Sequence, residues 1–456
     1  MAEFTKFRPK YDQTGNVTGE YDELRRQHNI MCLIGNGFDR AILRREEFRN
    51  LIGLSGRSTS YRDFYYFISG NNKYNVPLLN EENLIYAKMK DDIENHPDDE
   101  IDTWSNFEQT VTDLVFNTDD DHIKDFLSRF QHPESDLQSY ISKIEEDLDK
   151  IGNLFSNYLN ELLPVDILVE INKLAQENQW AYISLSHFLG DLSEEDYRKM
   201  HFTYRYTEFD PDTDYYDKQG YRIQYNTTFR FDLFNYMIFN FNYTSLLDNY
   251  LYLDKEQHLP GTEINDRDFY FHVDPNRYIN DGFADNTTEV TWSSYLLTDI
   301  IHPHGTKDIP RSFLFGTERD IGGINQKKLR FIKSFWGQND KKYGRCFDET
   351  ELFIIYGMSL ERCDGWWYEK IYEQLSKENP TAELIIYCYR NNNDDTICAM
   401  SEDEFKNDVK ERFIKGRTSY QENSPIDNKA KAVMERIFVV SFTENNTYFL
   451  GFGQHN

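Results

Sequence analysis

The sequence is poor in cysteine. It has five, an odd number, at positions 32, 346, 363, 388 and 398 of 456 residues. None forms a C-x-x-C pair, which excludes a four-cysteine zinc site and argues against a disulfide framework. Cys32 and Cys388 fall inside apolar, strand-like runs and are expected to pack in a core. No apolar run reaches transmembrane length, and the opening Met1-Ala2-Glu3-Phe4-Thr5-Lys6 has no apolar signal-peptide core, so no membrane partner and a reducing, cytoplasmic setting are expected. Positive charge is also scarce: 50 Lys and Arg against 79 Asp and Glu leave a net charge of −29. Such a chain is repelled by nucleic-acid backbones, which disfavours a nucleic-acid partner. The short cluster Lys327-Lys328-Leu329-Arg330 reads as a solvated helix face. There is no internal repeat and no low-complexity segment.

Aromatic residues, by contrast, make up 16 % of the chain, which argues for a folded protein with a large core. The chain is organised around the stretch Asn29 to Asp39. Ile30 to Ile34 is an apolar run of the length of a buried parallel strand. Gly35-Asn36-Gly37 breaks it, and Phe38-Asp39-Arg40-Ala41-Ile42-Leu43 reads as the first turns of a helix. Strand, glycine turn and helix form the layout in which backbone N–H groups meet a phosphate. The third glycine of the dinucleotide fingerprint is missing, since Arg40 stands in its place. A glycine turn without a ligand fits the same residues.

Residues 1–28 are polar and read as an arm, and residues 29–456 as one domain. Ser60 is placed to cap a helix through Tyr61 and Phe64 to Ile68. Further helices are expected around Leu84 to Met89 and over Trp104 to Leu114. A long helix carries apolar residues at Leu137, Ile141, Ile144, Leu148, Ile151, Phe155, Tyr158 and Leu162, a heptad seam. It packs either on neighbouring helices or against a second copy. Residues 75–180 thus read as a large helical insertion. Residues 200–230 have weak hairpin signals. Strand-like runs return at Tyr236 to Phe241, Phe269 to His272, Ile300 to His302, Phe313 to Phe315, Leu352 to Tyr356 and Leu384 to Tyr389. Residues 436–451 read as a final strand pair. Helical patterns at Leu246 to Tyr252, Trp366 to Leu375 and Glu404 to Phe413 lie between these runs. The alternation predicts an α/β fold with a Rossmann-like, mainly parallel sheet.

Ligands bind such sheets beyond the carboxyl ends of the strands. Four runs end in small, polar or ionisable residues: Gly35-Asn36-Gly37-Phe38-Asp39, then Asn242-Tyr243-Thr244-Ser245, then His302-Pro303-His304-Gly305, then Gly357-Met358-Ser359-Leu360 with Asp364 a turn later. Taken singly, Asn242 reads as a turn residue, His304 as a structural histidine and Ser359 as a helix cap. Together they point to a site. His302 and His304, two apart on a strand, would share a face, but no third ligand stands at metal-site spacing, and no metal is expected.

With Thr59-Ser60-Tyr61-Arg62-Asp63-Phe64 added, these pieces resemble the AbiH abortive-infection family of bacterial phage-defence proteins over about residues 29–390. AbiH proteins in turn look like distant relatives of the sirtuin-like NAD-consuming fold. The resemblance implies Asn242 and His304 as the catalytic pair. It sets Gly35, Asn36, Gly37, Phe38, Asp39, Thr244, Gly357, Ser359 and Asp364 around the cofactor. The chain departs from sirtuins in lacking their zinc module, which argues against protein deacylation. Asn36 replaces an alanine of their glycine loop, and Thr244 replaces an Asp common in related NAD hydrolases.

The implied reaction is cleavage of the nicotinamide–ribose bond, with NAD as substrate. The cationic nicotinamide leaves neutral and needs no general acid, so catalysis needs orientation, electrostatic stabilisation and a base. His304 is assigned as base on a ribose hydroxyl or water, and Asn242 as the group that orients it. Gly35, Asn36 and Gly37 would offer N–H groups to the pyrophosphate, and Ser359 would meet the adenosine side. Asp39 would bind a ribose hydroxyl or cap its own helix, and Asp364 would cap the Trp366 helix. An NAD glycohydrolase that depletes the cofactor of infected cells must be restrained, by homo-oligomer formation through the Leu137–Leu162 seam, by a partner defence protein or by a loop. Two other readings are a non-catalytic nucleotide-binding sensor and an RNA- or DNA-targeting toxin.

Overall fold

A computed structural model describes residues 2–4, 23–45, 59–72, 75–95, 104–117, 137–202, 230–251, 255–257, 293–318, 324–378, 380–391, 395–421, 424–443 and 447–451. The expected strand at Phe269 to His272 and nearly all of the expected 200–230 hairpin lie outside them.

Among the described residues seven strands form one sheet: β1 (Glu23–Ile34), β2 (Arg230–Asn240), β3 (Lys255–Gln257), β4 (Ser293–Ile301), β5 (Leu352–Tyr356), β6 (Glu383–Tyr389) and β7 (Ile437–Phe442). Their spatial order is β3-β4-β2-β1-β5-β6-β7. Only the short edge strand β3 runs antiparallel, against β4. The six parallel strands, numbered along the chain, therefore lie in the order 3-2-1-4-5-6, that of a Rossmann sheet. The direction of progress reverses between β1 and β5, and this is where a ligand crevice is expected to open. β1 begins six residues before the expected boundary of the arm, since Glu23 already pairs with Arg230.

Strand burial explains why the runs are so apolar. All five β5 residues, Leu352 to Tyr356, are buried, because helices cover both faces. Ile30, Cys32 and Ile34 of β1 join one core, and Met31 and Leu33 the other. The first core also takes the helices Tyr61–Ile68, Leu84–Asn95, Trp104–Thr112, Leu137–Leu162, Val165–Glu177 and Trp180–Ser186. The second is formed against helices Asn339–Glu349, Gly365–Leu375, Glu402–Lys415 and Asn428–Met434. Between helix Gly37–Arg44 and β2, all described elements are helical, from Tyr61 to Lys199, and they share a core with the sheet.

The heptad seam is a single helix, Leu137–Leu162, as its spacing predicts. Ile141, Ile144, Leu148, Ile151, Phe155, Tyr158 and Leu162 are all buried within the chain, so the seam is an internal contact and not a surface for a second copy. Two other expectations fail. Phe313 to Phe315 is not a strand: it follows a 3-10 turn at Pro310–Ser312, and its rings pack on Phe155 and Tyr243. The described part of residues 436–451 supplies one strand, not two. Tyr448 and Phe449 donate their N–H groups to Asp191 (2.7 and 3.0 Å) instead of to a ladder. No helix among the described residues is long and apolar enough to cross a membrane.

Candidate functional site

β1 and β5 end side by side at the reversal point, and their glycines explain how closely. Gly35 donates its N–H to the Tyr356 carbonyl and Gly37 to the Gly357 carbonyl, both at 2.8 Å, while Phe38 turns back to the Gly35 carbonyl at 3.1 Å. A Cβ on Gly37 would lie 2.5 Å from Gly357 Cα, and one on Gly35 2.6 Å from the Gly357 oxygen. Gly357 itself has φ +68°, a conformation that favours glycine. The expected offer of Gly35 and Gly37 amides to a pyrophosphate is therefore corrected: those N–H groups join two strand ends. Asn36 is fixed to the next segment, accepting from Thr59 Oγ1 (2.9 Å) and donating to the Thr59 carbonyl (3.3 Å). Phe38 is fully buried and packs edge-on against Tyr250 and Tyr356, so it is a core residue and does not face the crevice.

Asp39, in the first turn of helix Gly37–Arg44, is 1 % exposed. It caps nothing: its Oδ2 accepts from Thr244 Oγ1 at 2.6 Å, and its Oδ1 is buried without a hydrogen-bond partner. Burial pushes the carboxyl up to about 7, against the pull of the Thr244 hydroxyl,. Asn242, just past β2, is held through its amide nitrogen, which donates to the Gly35 carbonyl (3.2 Å) and to Asn240 Oδ1 (2.9 Å). Its own Oδ1 is likewise buried and unpartnered.

The two histidines lie beyond β4, in the turn that follows Ile301, and take different partners instead of sharing a face. His302 bridges the Asn242 carbonyl (Nδ1, 3.2 Å) and Asp248 (Nε2, 3.0 Å). It is raised above its ordinary pKa by Asp248 and the Asn242 carbonyl, against the cost of burial. His304 packs edge-on against Phe241 and lies 3.7 Å from Asp364. Burial, with Lys333 beside it, pushes the imidazole down to about 3. The near-neutral pKa that recommends a histidine as base is not retained here.

Asp364 stands at the N-cap of helix Gly365–Leu375 but makes no cap bond. It accepts from buried Lys333, whose Nζ donates at 2.8 Å both to Asp364 and to Glu108 of helix Trp104–Thr112. The ammonium holds Asp364 below the ordinary carboxylate range against its burial, whereas burial leaves Glu108 raised to about 7. Cys363 adjoins the same group. Ser359 is exposed and caps no helix; its hydroxyl accepts from Glu361 N at 3.4 Å.

One cavity of about 770 Å³ gathers these segments. Of the expected residues, Gly35, Asn36, Gly37, Asp39, Asn242, Thr244, His304, Gly357, Ser359 and Asp364 line it. Phe38 and His302 are not among the lining residues. Cys388, expected in the core, lines the cavity beside Arg412, which donates to its sulfur at 3.5 Å. Sequence reasoning missed Glu108, Lys333, Cys363, Arg40 and Arg44. The signal for the arginines was present: Arg40 and Arg44 are four apart in a helix that starts at the glycine turn, and so share a face. Asp248, also missed, sits one turn past Thr244 in helix Leu246–Leu251.

A comparison with curated proteins finds no match. Residues 31–387 match the family described as Bacteriophage abortive infection AbiH. That span covers most of the chain and contains the glycine turn, Asn242, the two histidines and the Lys333 cluster, so the chain belongs to the AbiH family.

Proposed function

We propose that this protein acts in abortive infection as a hydrolase of the nicotinamide–ribose bond of NAD. The observation that carries the reading is the pair of buried, unpartnered oxygens, Asp39 Oδ1 and Asn242 Oδ1, in one cavity at the sheet's reversal point. Buried acceptors without donors are costly, and ribose hydroxyls are donors that would satisfy them. The volume, about 770 Å³, is in the range of a cofactor-sized ligand.

In the reaction, water adds to the ribose carbon as the carbon–nitrogen bond breaks, giving nicotinamide, ADP-ribose and a proton. An ionised Asp39 would stabilise the cationic sugar and accept the proton of the attacking water, a role suited to a carboxyl near 7,. Asn242 would orient the ribose. His304, neutral at physiological pH, would serve by hydrogen bonding and not as the base.

The test is NAD content in phage-infected cells expressing the protein. NAD should fall with the native chain and not with D39N or N242A made to equal level. Infected cells that stop phage growth with NAD unchanged would refute the reading. A second reading, a nucleotide sensor without turnover, is favoured by the depressed His304 and the engaged glycine amides. Calorimetry showing NAD binding without nicotinamide release would support it.

A further inference from the structure

The cavity is uneven in charge. Its deeply buried wall carries Asp39 and Glu108, 1 % and 7 % exposed, with Asp364 beside them. A phosphate there would meet more carboxylates than cations, because the one buried ammonium beside them, that of Lys333, is already held by Glu108 and Asp364,. At the glycine turn the Gly35 and Gly37 amides are already taken, since they donate to β5 carbonyls. Towards solvent the sign reverses. Arg40 is half-buried and Arg44 exposed, and both line the same cavity. They lie one turn apart on helix Gly37–Arg44, so their side chains project from one face. In a chain of net charge −29, two guanidiniums on one cavity edge are a local exception. Guanidinium forks match phosphate oxygens in geometry as well as charge.

We infer that Arg40 and Arg44 form the anion subsite of this cavity, holding the phosphate of a nucleotide at the mouth while its sugar points inward to Asp39 and Asn242. The phosphate is bound by side chains, in place of the backbone amides that Rossmann turns ordinarily present. This rests on the reading of the cavity as a nucleotide site, and it adds which group is recognised, where, and in which orientation.

The test is isothermal titration calorimetry of the full chain with ADP and with adenosine at fixed ionic strength. The native protein should bind ADP at least about tenfold more tightly than adenosine. R40Q/R44Q should lose that advantage, keep its adenosine affinity and unfold as cooperatively as the native chain. R44Q alone, at the exposed position, should weaken ADP at least about threefold, and it keeps the test readable if the double variant does not fold. Equal affinity for ADP and adenosine, unchanged ADP affinity in R44Q and R40Q/R44Q, or no ADP binding at millimolar concentration would each overturn the inference. ADP has no nicotinamide bond, so a failure to cleave NAD does not move this readout. Unchanged ADP affinity would equally leave the cleavage assay standing.

Discussion

Thr244 Oγ1 donates to Asp39 Oδ2 across 2.6 Å, joining the residue after the second strand's Asn-Tyr pair to the first helix turn after β1. A threonine at position 244 is thereby explained. Asp39 already places a carboxylate at this point, and a second one at position 244 would be repelled by it. A hydroxyl is what an aspartate at position 39 needs opposite it.

Replacing Thr244 by valine keeps the shape and removes the donor. The Thr244 hydroxyl lowers the Asp39 pKa, so in T244V the value rises above about 7. The expected cost, about 1–3 kcal/mol for a buried bond to a charged group, should be clear at pH 8.5 and smaller at pH 5, where Asp39 is protonated in both proteins. Urea unfolding at the two pH values measures it, and a cost independent of pH would contradict the assignment.

Asp39 also makes a prediction for stability. Its folded pKa, about 7, stands above the ordinary carboxylate value of 3.8. The folded state holds that proton more tightly, so the contribution is full below about pH 4 and is lost as the pH rises through about 7,. D39N, which cannot ionise, should therefore be more stable than the native chain at pH 8.5, by on the order of 2 kcal/mol, and no more stable at pH 4.5. Differential scanning calorimetry across that window reads the difference.

How much of this was legible in the sequence depended on distance along the chain. Leu352 to Tyr356 could be read to the residue, because five apolar side chains buried on both faces leave no other pattern. The helix Leu137–Leu162 could be read from its spacing, and Ser60 as a cap from its position: it accepts from Asp63 N at 3.1 Å. The strand ends could be read as a site because parallel sheets place all their carboxyl ends together. What could not be read were the pairings that set the chemistry. Glu108 and Lys333 are 225 residues apart, and nothing local marks either as buried. Gly37 in its turn suggests the approach of a ligand, when the close approach is to Gly357. A glycine reports that something comes near, not what it is.

The Lys333 cluster should behave as a unit. Its ammonium pairs with two carboxylates at 2.8 Å while itself 1 % exposed. K333M leaves both without their ammonium partner, at an expected cost of about 3–5 kcal/mol. Because Lys333 also lowers the His304 pKa, the same variant should move the His304 titration upward. E108Q and D364N should cost less, since each leaves the ammonium one carboxylate. Histidine NMR titration with chemical unfolding of the three variants tests both statements, and a stationary His304 in a folded K333M would contradict the proximity.

Gly37→Ala separates packing from ligand binding. Gly37 is the first residue of its helix, where alanine is ordinarily the better residue, so a loss of stability must come from contact. The added Cβ would meet Gly357 Cα at 2.5 Å, backbone that cannot give way as a side chain can. A loss of on the order of 2 kcal/mol is expected in ligand-free protein by urea unfolding. If Gly37 serves only the approach of a ligand, G37A will be as stable as the native chain and weaker only in binding.

The long helix offers the last discrimination. Ile144 and Ile151 are both 0 % exposed inside the isolated chain, and Ser156 Oγ donates to the Lys307 carbonyl at 2.6 Å from the same helix. The seam thus holds the helical segment to the loop that carries His304. An aspartate at position 151 would put a charge into that contact, at a cost on the order of 4 kcal/mol. A seam that served assembly would give a different result: I151D would stay as stable as the native chain when dilute and lose only its self-association. Unfolding of I151D at micromolar and at tenfold lower concentration distinguishes the two. A large loss of stability that does not change with concentration is expected, because the partners of Ile151 belong to the same chain.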